Sequence, residues 1–328
     1  MSWKFWKKPE EMPAPGDENW ERALVNRVVI DSLTEQRRNR RWGIVFKFLT
    51  FVYLFALLVL FWPNDFLESV KPGEKHTALI EVKGIIAPKT QASADKIVTA
   101  LRNAYEDDKT KGIILRINSP GGSPVQAGYV NDEVRRLREK HPDIPVYAVV
   151  VDICASGGYY IAVAADEIYV DKASLVGSIG VRIDAFGLEE AIEELGIERR
   201  LLTAGKNKGI LDPFSPLPED QREFLQGILD QLHEQFIEVV KEGRGERLTG
   251  GEELFSGLFW SGEESLTLGL ADELGSSSYV AREVIGAEKI VEFTEKKDLL
   301  EQFADRLGAS FAESILRLTG AGGYPMAR

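Results

Sequence analysis

Residues 112–160 read GIILRINSPGGSPVQAGYVNDEVRRLREKHPDIPVYAVVVDICASGGYY. Two apolar runs stand out in this stretch, Gly112–Asn118 and Pro145–Val151. Each predicts a buried strand, because a near-continuous apolar run suits a strand covered on both faces. The segment between them, Ser123–Lys140, predicts a helix. Strand, helix and strand in that order make a crossover unit, and such units build a largely parallel sheet. Each strand also runs into a glycine pair that opens a helix: Gly121-Gly122 after the first, Gly157-Gly158 after the second.

The same alternation extends in both directions. Thr77–Lys83 predicts a strand, and Ala92–Glu106 has helical spacing through Ile97, Leu101 and Tyr105. Further helix, strand and turn segments continue to about Phe214. Pro218–Glu242 predicts a long helix, its apolar stripe being Leu225, Ile228, Leu229, Leu232, Phe236 and Val240, with proline tolerated in its first turn. Leu299–Leu318 predicts a last amphipathic helix through Leu300, Phe303, Leu307, Phe311, Ile315 and Leu318. The whole predicts an α/β domain with its parallel sheet covered on both faces.

The chain has 328 residues, 44% of them hydrophobic and 28% charged, a balance that suits a folded protein with a core. Forty basic residues against fifty-two acidic ones give a net charge of −12, which offers no basic footprint for nucleic acid. Cys154 is the single cysteine, which excludes an intrachain disulfide and a cysteine-based zinc site. The histidines His76, His141 and His233 are widely scattered, so no metal site is expected. His233 and His141 read as packing or helix-end residues.

Charge is unevenly spread near the N-terminus. Residues 1–42 hold nine basic and seven acidic residues, so the remainder of the chain carries −14. Gly43–Trp62, GIVFKFLTFVYLFALLVLFW, then has the length of a helix that crosses a bilayer, with Lys47 as its one charge. Arg37, Arg38, Arg40 and Arg41 lie on its N-terminal side, and the positive-inside rule assigns that side to the cytoplasm. The expected order is a cytoplasmic tail at 1–42, a transmembrane helix at 43–62, a tether at 63–75, a domain at 76–295 and a C-terminal helix with its tail at 296–328. The partner this predicts is the lipid bilayer, with the domain on the extracytoplasmic side.

Three segments carry candidate chemistry. In Ile117–Ser123 the Gly121-Gly122 pair frees backbone N–H groups to approach a ligand. In Ile153–Tyr160, Ser156 stands between a strand and a helix, which suits a nucleophile and equally suits a helix N-cap. Cys154 precedes it in a buried approach, where cysteine behaves as a small hydrophobe. In Thr203–Phe214, Lys206 and Lys208 share a loop rich in glycine and proline. A serine nucleophile needs a base, and lysine serves when burial lowers its pKa from about 10.4 towards 7–8. Spacing alone does not separate Lys206 from Lys208.

Taken together, NSPGGS, CASGGYYIA, VGSIGV, GKNKGILDPF and the later GLFWSGEESLTLGLADELG resemble the signal peptide peptidase A (SppA) family of bacterial membrane proteases. The resemblance runs from about Thr77 to Phe293, and its single domain copy is similar to the family's short form. It implies a ClpP/crotonase-like fold of stacked ββα units behind one N-terminal transmembrane helix. It implies Ser156 as nucleophile, Lys208 as general base in preference to Lys206, and Ser178 as the hydroxyl that orients the amine. The backbone N–H groups of Gly122 and Gly157 would form the oxyanion hole. No cofactor and no metal is implied. The implied substrates are remnant signal peptides or other apolar peptides, cut by a membrane-anchored serine endopeptidase that self-assembles into a homo-oligomeric ring in the bacterial inner membrane. The alternatives are a SohB-type or stomatin-associated membrane Ser–Lys protease, or a non-proteolytic crotonase-like protein.

Overall fold

The structure, a computed structural model, describes residues 20–60 and 74–294. It divides into two compact units, Met1–Pro72 and Gly73–Arg328. In the first, helix α1 runs through Trp20–Leu60. Among the described residues no helix is long and apolar enough to cross a membrane. The end of the expected span, the side chains of 57–60 and all of 61–62, lies outside that description, as do most of the tether and the C-terminal amphipathic helix.

The second unit is built on an eight-stranded sheet. Its elements are β1 (His76–Lys83), α2 (Ala94–Glu106), β2 (Thr110–Ser119), α3 (Pro124–Lys140), β3 (Val146–Ala155), α4 (Gly157–Ala162), β4 (Glu167–Val170) and β5 (Leu175–Gly177). Beyond them come α5 (Glu189–Glu194), α6 (Glu219–Arg244), β6 (Phe259–Ser261), α7 (Gly262–Thr267), β7 (Glu273–Leu274), α8 (Ser277–Tyr279), a π-helical turn at Val280–Val284 and β8 (Ile290–Glu292). The main strand order is β6-β5-β3-β2-β1-β8, with β4 on β3 and β7 on β4. Every pairing is parallel except β5 with β6. The mixed, parallel-dominated α/β sheet agrees with the fold class expected from sequence.

The strands sort their residues with a period of two. Ala78, Ile80 and Val82 of β1, Ile113, Leu115 and Ile117 of β2, and Val146, Ala148 and Val150 of β3 face the main core with α2, α3 and α4. The alternate residues Leu79, Ile114 and Val149 face a second, smaller cluster with Tyr169, Val280 and Ala281. Among the described residues, cover on that face is thinner than expected. Beyond the small cluster it carries the Glu81–Arg116 ion pair, whose charges remain partly in water.

Helix α6 departs from its expected packing. Of its six-residue apolar stripe only Phe236 and Val240 are buried, and Ile228 is exposed. The buried anchors lie towards the C-terminal end: the Phe236 ring lies 5.1 Å from that of Tyr160, and buried Arg244 makes two hydrogen bonds to Asp272, at 2.7 and 2.9 Å. The Asp272 carboxyl is pushed up by burial, yet its bonds and charge contact with Arg244 outweigh this and hold it below the usual range.

Candidate active site

Strand β3 changes partner along its length. Tyr147–Val149 pair with β4, whereas Ile153–Ala155 pair with β5. Its register with β2 also jumps, from Ile117↔Val150 to Ser119↔Cys154. Val151, Asp152 and Ile153 there stand against Asn118 alone, two residues in excess, and Val151 and Asp152 are exposed. A bulge of this kind bends a strand and re-aims the residues beyond it. The residue so re-aimed is Ser156, between the end of β3 and the start of α4.

Ser156 has φ 51° and ψ −122°, an uncommon backbone conformation for a non-glycine residue. Its carbonyl accepts the Tyr160 N–H at 2.9 Å, as a helix-capping residue does, but its side chain makes no capping bond. Ser123, at the start of α3, does cap: its Oγ accepts the Gln126 N–H at 3.4 Å. Ser156 thus opens α4 through its carbonyl alone, and among the described residues its hydroxyl makes no capping bond. Cys154 is fully buried in the ladder, and burial pushes its thiol up, away from the reactive thiolate.

The glycine pair of the preceding loop packs directly on this serine. A Cβ on Gly121 would lie 2.7 Å from Ser156 Cβ and 2.8 Å from Gly157 N, so only glycine lets the loop come this close. Ile86 bridges the loop from the other side, its N–H donating to Gly121 O at 2.9 Å and its carbonyl accepting the Ser123 N–H at 2.7 Å. The Gly121–Gly122 peptide is planar, so the Gly122 N–H points opposite to the Gly121 carbonyl and away from Ile86. Gly122 N lies 3.3 Å from the position a Gly157 Cβ would take. Among the described residues neither the Gly122 nor the Gly157 N–H is used in a hydrogen bond. The arrangement brings together a hydroxyl and two backbone donors, the parts that acyl transfer requires.

Ser178 comes directly after Gly177, whose carbonyl accepts the Ser156 N–H at 2.9 Å. It too has a left-handed backbone, φ 53°, and its N–H donates to Leu258 O at 2.7 Å. His233 of α6 supports this segment, its Nε2 lying 3.2 Å from Ile179 O, a packing role rather than a catalytic one. Lys208 lies in an exposed turn closed by its own N–H to Gly205 O at 3.1 Å. Lys206 is committed elsewhere, in an ion pair with Asp220 at 3.2 Å. Among the described residues no hydrogen bond or ion pair joins Lys208 to Ser156 or Ser178. The geometry thus gathers Ser156, Gly157, Gly122 and the Ser178 segment, and joins none of them to Lys208 by a hydrogen bond among the described residues.

Sequence reasoning missed Ser119 and Ile86, which hold the glycine loop. The motif NSPGGS contains the first of them, but in sequence its glycines alone carry a signal.

Residues 138–291 match Peptidase family S49. A Synechocystis relative named as a protease, slr0021, is 33% identical over 202 residues, 62% of this chain and 70% of that one. An Enterococcus faecium relative named as a signal peptide peptidase, SppA, is 27% identical over 259 residues, 75% of each chain. A Brucella abortus protein named as the Na(+)/H(+) antiporter NhaA is 43% identical over 186 residues, 57% of this chain and 25% of that one. The chain thus spans about a quarter of that longer relative. Matching residues 138–291 hold Ser156, Gly157, Ser178 and Lys208, whereas NSPGGS with Gly122 lies before them. The chain belongs to peptidase family S49, the serine peptidases of the SppA type.

Proposed function

We propose that the chain is a membrane-anchored serine endopeptidase that clears remnant signal peptides after preproteins are processed. The observation that carries this reading is the strained backbone of Ser156, with its hydroxyl free of any capping bond. Strain of this kind persists where the surrounding fold over-determines it, and it clusters at reactive sites. In this reading Ser156 Oγ attacks the scissile carbonyl carbon and its proton passes to the Lys208 amine. The carbonyl oxygen becomes an oxyanion, met by the N–H groups of Gly122 and Gly157. The C–N bond then breaks, the leaving amine takes the proton from the Lys208 ammonium, and an acyl ester stays on Ser156. Water attacks the ester in the same way, restoring the hydroxyl and releasing the acid.

A lysine base works when its amine is desolvated, and Lys208 stands exposed on the single chain. Self-association supplies the burial in this reading. The segment 180–215 that carries Lys208 holds apolar side chains open to water, Phe186 at 82% and Leu202 at 96% exposure among them. An apolar surface of that kind marks an interaction site. The partner is a second copy of the chain, in the homo-oligomeric ring expected from the family resemblance. The bilayer anchor is Gly43–Trp62, with Arg37 to Arg41 on the cytoplasmic side and the peptidase domain outside the inner membrane.

The test is hydrolysis of an apolar signal-sequence peptide by the full chain in detergent. Wild type and Lys206→Ala retain activity; Ser156→Ala and Lys208→Ala lose on the order of 1,000-fold or more at equal folded concentration. Activity that survives Ser156→Ala overturns the serine-peptidase reading. A monomeric mass for the active enzyme overturns the ring.

A further inference from the structure

The segment after β1 is stitched to the glycine loop by a short seam. Gly84 N–H donates to Asn118 O at 2.9 Å, Ile86 N–H to Gly121 O at 2.9 Å, and Ser123 N–H to Ile86 O at 2.7 Å. One further bond in the seam comes from a side chain: Ser119 Oγ donates to Gly84 O at 2.6 Å. The same oxygen accepts the Gly121 N–H at 3.1 Å. Ser119 is wholly buried, at 0% exposure. It also packs under the first turn of α4, since a Cβ on Gly158 would lie 3.4 Å from Ser119 Cβ.

One buried hydroxyl therefore spans the end of β1 and the glycine loop, and its carbon lies against the helix that begins at the nucleophile. A buried hydroxyl that both donates and accepts fixes its two partners relative to each other. Without it, the Gly121 N–H is buried with no partner, and the peptide planes between Ser119 and Gly122 lose one of their two restraints. The other is Ile86 N–H on Gly121 O. The Gly122 N–H turns with the plane that holds Gly121 O.

We propose that Ser119 is a positioning residue for the transition state, aiming the Gly122 N–H at the oxyanion without touching the substrate. The proposal rests on the serine-peptidase reading above. It extends that reading by assigning a role to a buried side chain that neither attacks nor takes a proton.

The test compares wild type, Ser119→Ala and Ser119→Thr as full chains in detergent. An apolar peptide aldehyde serves as the oxyanion probe, because the Ser156 oxygen adds to its carbonyl carbon, the serine proton passes to the Lys208 amine, and the π-bond electrons are left on the former carbonyl oxygen, which faces the donors. The matching peptide alcohol occupies the same groove but forms no such oxygen. Ser119→Ala is expected to lower kcat by about 10- to 100-fold with KM within about twofold. It should weaken the aldehyde by a similar factor and leave the alcohol unchanged. Ser119→Thr keeps the hydroxyl and should keep the aldehyde-over-alcohol preference even if its melting temperature falls, so it carries the test should the alanine variant not fold. Equal weakening of aldehyde and alcohol in Ser119→Ala makes the residue merely structural and overturns the proposal, as does unchanged kcat. Loss of the aldehyde preference in Ser119→Thr as complete as in Ser119→Ala also counts against it. Wild type without hydrolysis overturns the functional reading instead.

Discussion

Ser156 donates its backbone N–H to the Gly177 carbonyl at 2.9 Å, so the β3–β5 pairing that ends at Ala155↔Gly177 delivers Ser156 and Ser178 side by side in the chain register. Both residues then leave the sheet with positive φ, 51° and 53°. Two adjacent strands thus each end on a serine with positive φ. Non-glycine residues in that region cost about 1–3 kcal/mol each, which surrounding contacts must offset. Leu258 does so for Ser178 by accepting its N–H, and Gly177 does so for Ser156.

That relationship makes Ser178 separable from the fold. Ser178→Ala removes the hydroxyl proposed to orient the base and leaves the backbone bond to Leu258 in place. The expected result is a kcat lower by about 10- to 100-fold, with KM and melting temperature nearly unchanged. Ser178→Gly should match the alanine variant in activity while melting no lower, because glycine accepts φ 53° at little cost. Steady-state kinetics with thermal melts of both variants checks this. Full activity in either variant removes Ser178 from the site.

Gly121 is the position least open to change. Its φ is 100°, and an added Cβ would sit 2.7 Å from Ser156 Cβ, 2.8 Å from Gly157 N and 2.9 Å from Ala155 O. Two of these three neighbours are backbone atoms and have no flexible end to swing away. Gly121→Ala should therefore displace either the glycine loop or the nucleophile. A misplacement of about 1 Å is worth about 100-fold in rate, and a loss of at least that size in kcat/KM is expected. A fluorophosphonate that labels Ser156 gives an independent reading: its labelling rate should fall with the hydrolysis rate. Normal labelling and hydrolysis in Gly121→Ala refute the close packing of loop on nucleophile.

Much of this architecture is legible in the sequence. The apolar runs of β2 and β3 are too continuous for a half-exposed strand, so the parallel sheet can be read from them. Gly121-Gly122 and Ser156 announce themselves by standing at strand ends, where side chains meet solvent. The bulge at Val151 and Asp152 leaves no such trace, because a register jump depends on how β3 pairs with two neighbours at once. Ser119 is hidden for a related reason: its partners, Gly84 and Gly121, lie on either side of a parallel crossover distant in sequence. Helix α6 misleads in the opposite direction. Its apolar stripe reads as core, but the domain buries only Phe236 and Val240 near its end. Periodicity reports that a face is apolar and says nothing about whether this chain or another copy covers it.

The acid limit of the domain should be set by carboxylates held in their charged form. Glu133 of α3 is the clearest, with Arg136 and Arg102 both at 2.7 Å from its Oε1. The hydrogen bond from Arg136 lowers it most, and it is held down to about 2 against the upward push of burial. The ordinary glutamate value is near 4.3, so the folded state binds this proton less readily than the unfolded chain. Stability from Glu133 is then fully present above about pH 4.3 and is lost as pH falls through about 2. Asp272, lowered in the same direction beside Arg244, adds to the slope and ties it to the anchored end of α6. The melting temperature should be level from about pH 7 to 5 and then fall steadily towards pH 2. Glu133→Gln should cost about 1–2 kcal/mol at neutral pH, where the charged bonds are lost, and only a small part of that near pH 2, where about half of the wild-type carboxyl is itself protonated. Chemical denaturation of both proteins at several pH values measures the gap directly. A gap that stays constant down to pH 2 would mean that the glutamine loses packing rather than charge, and that the two arginines do not stabilise the ionised carboxylate.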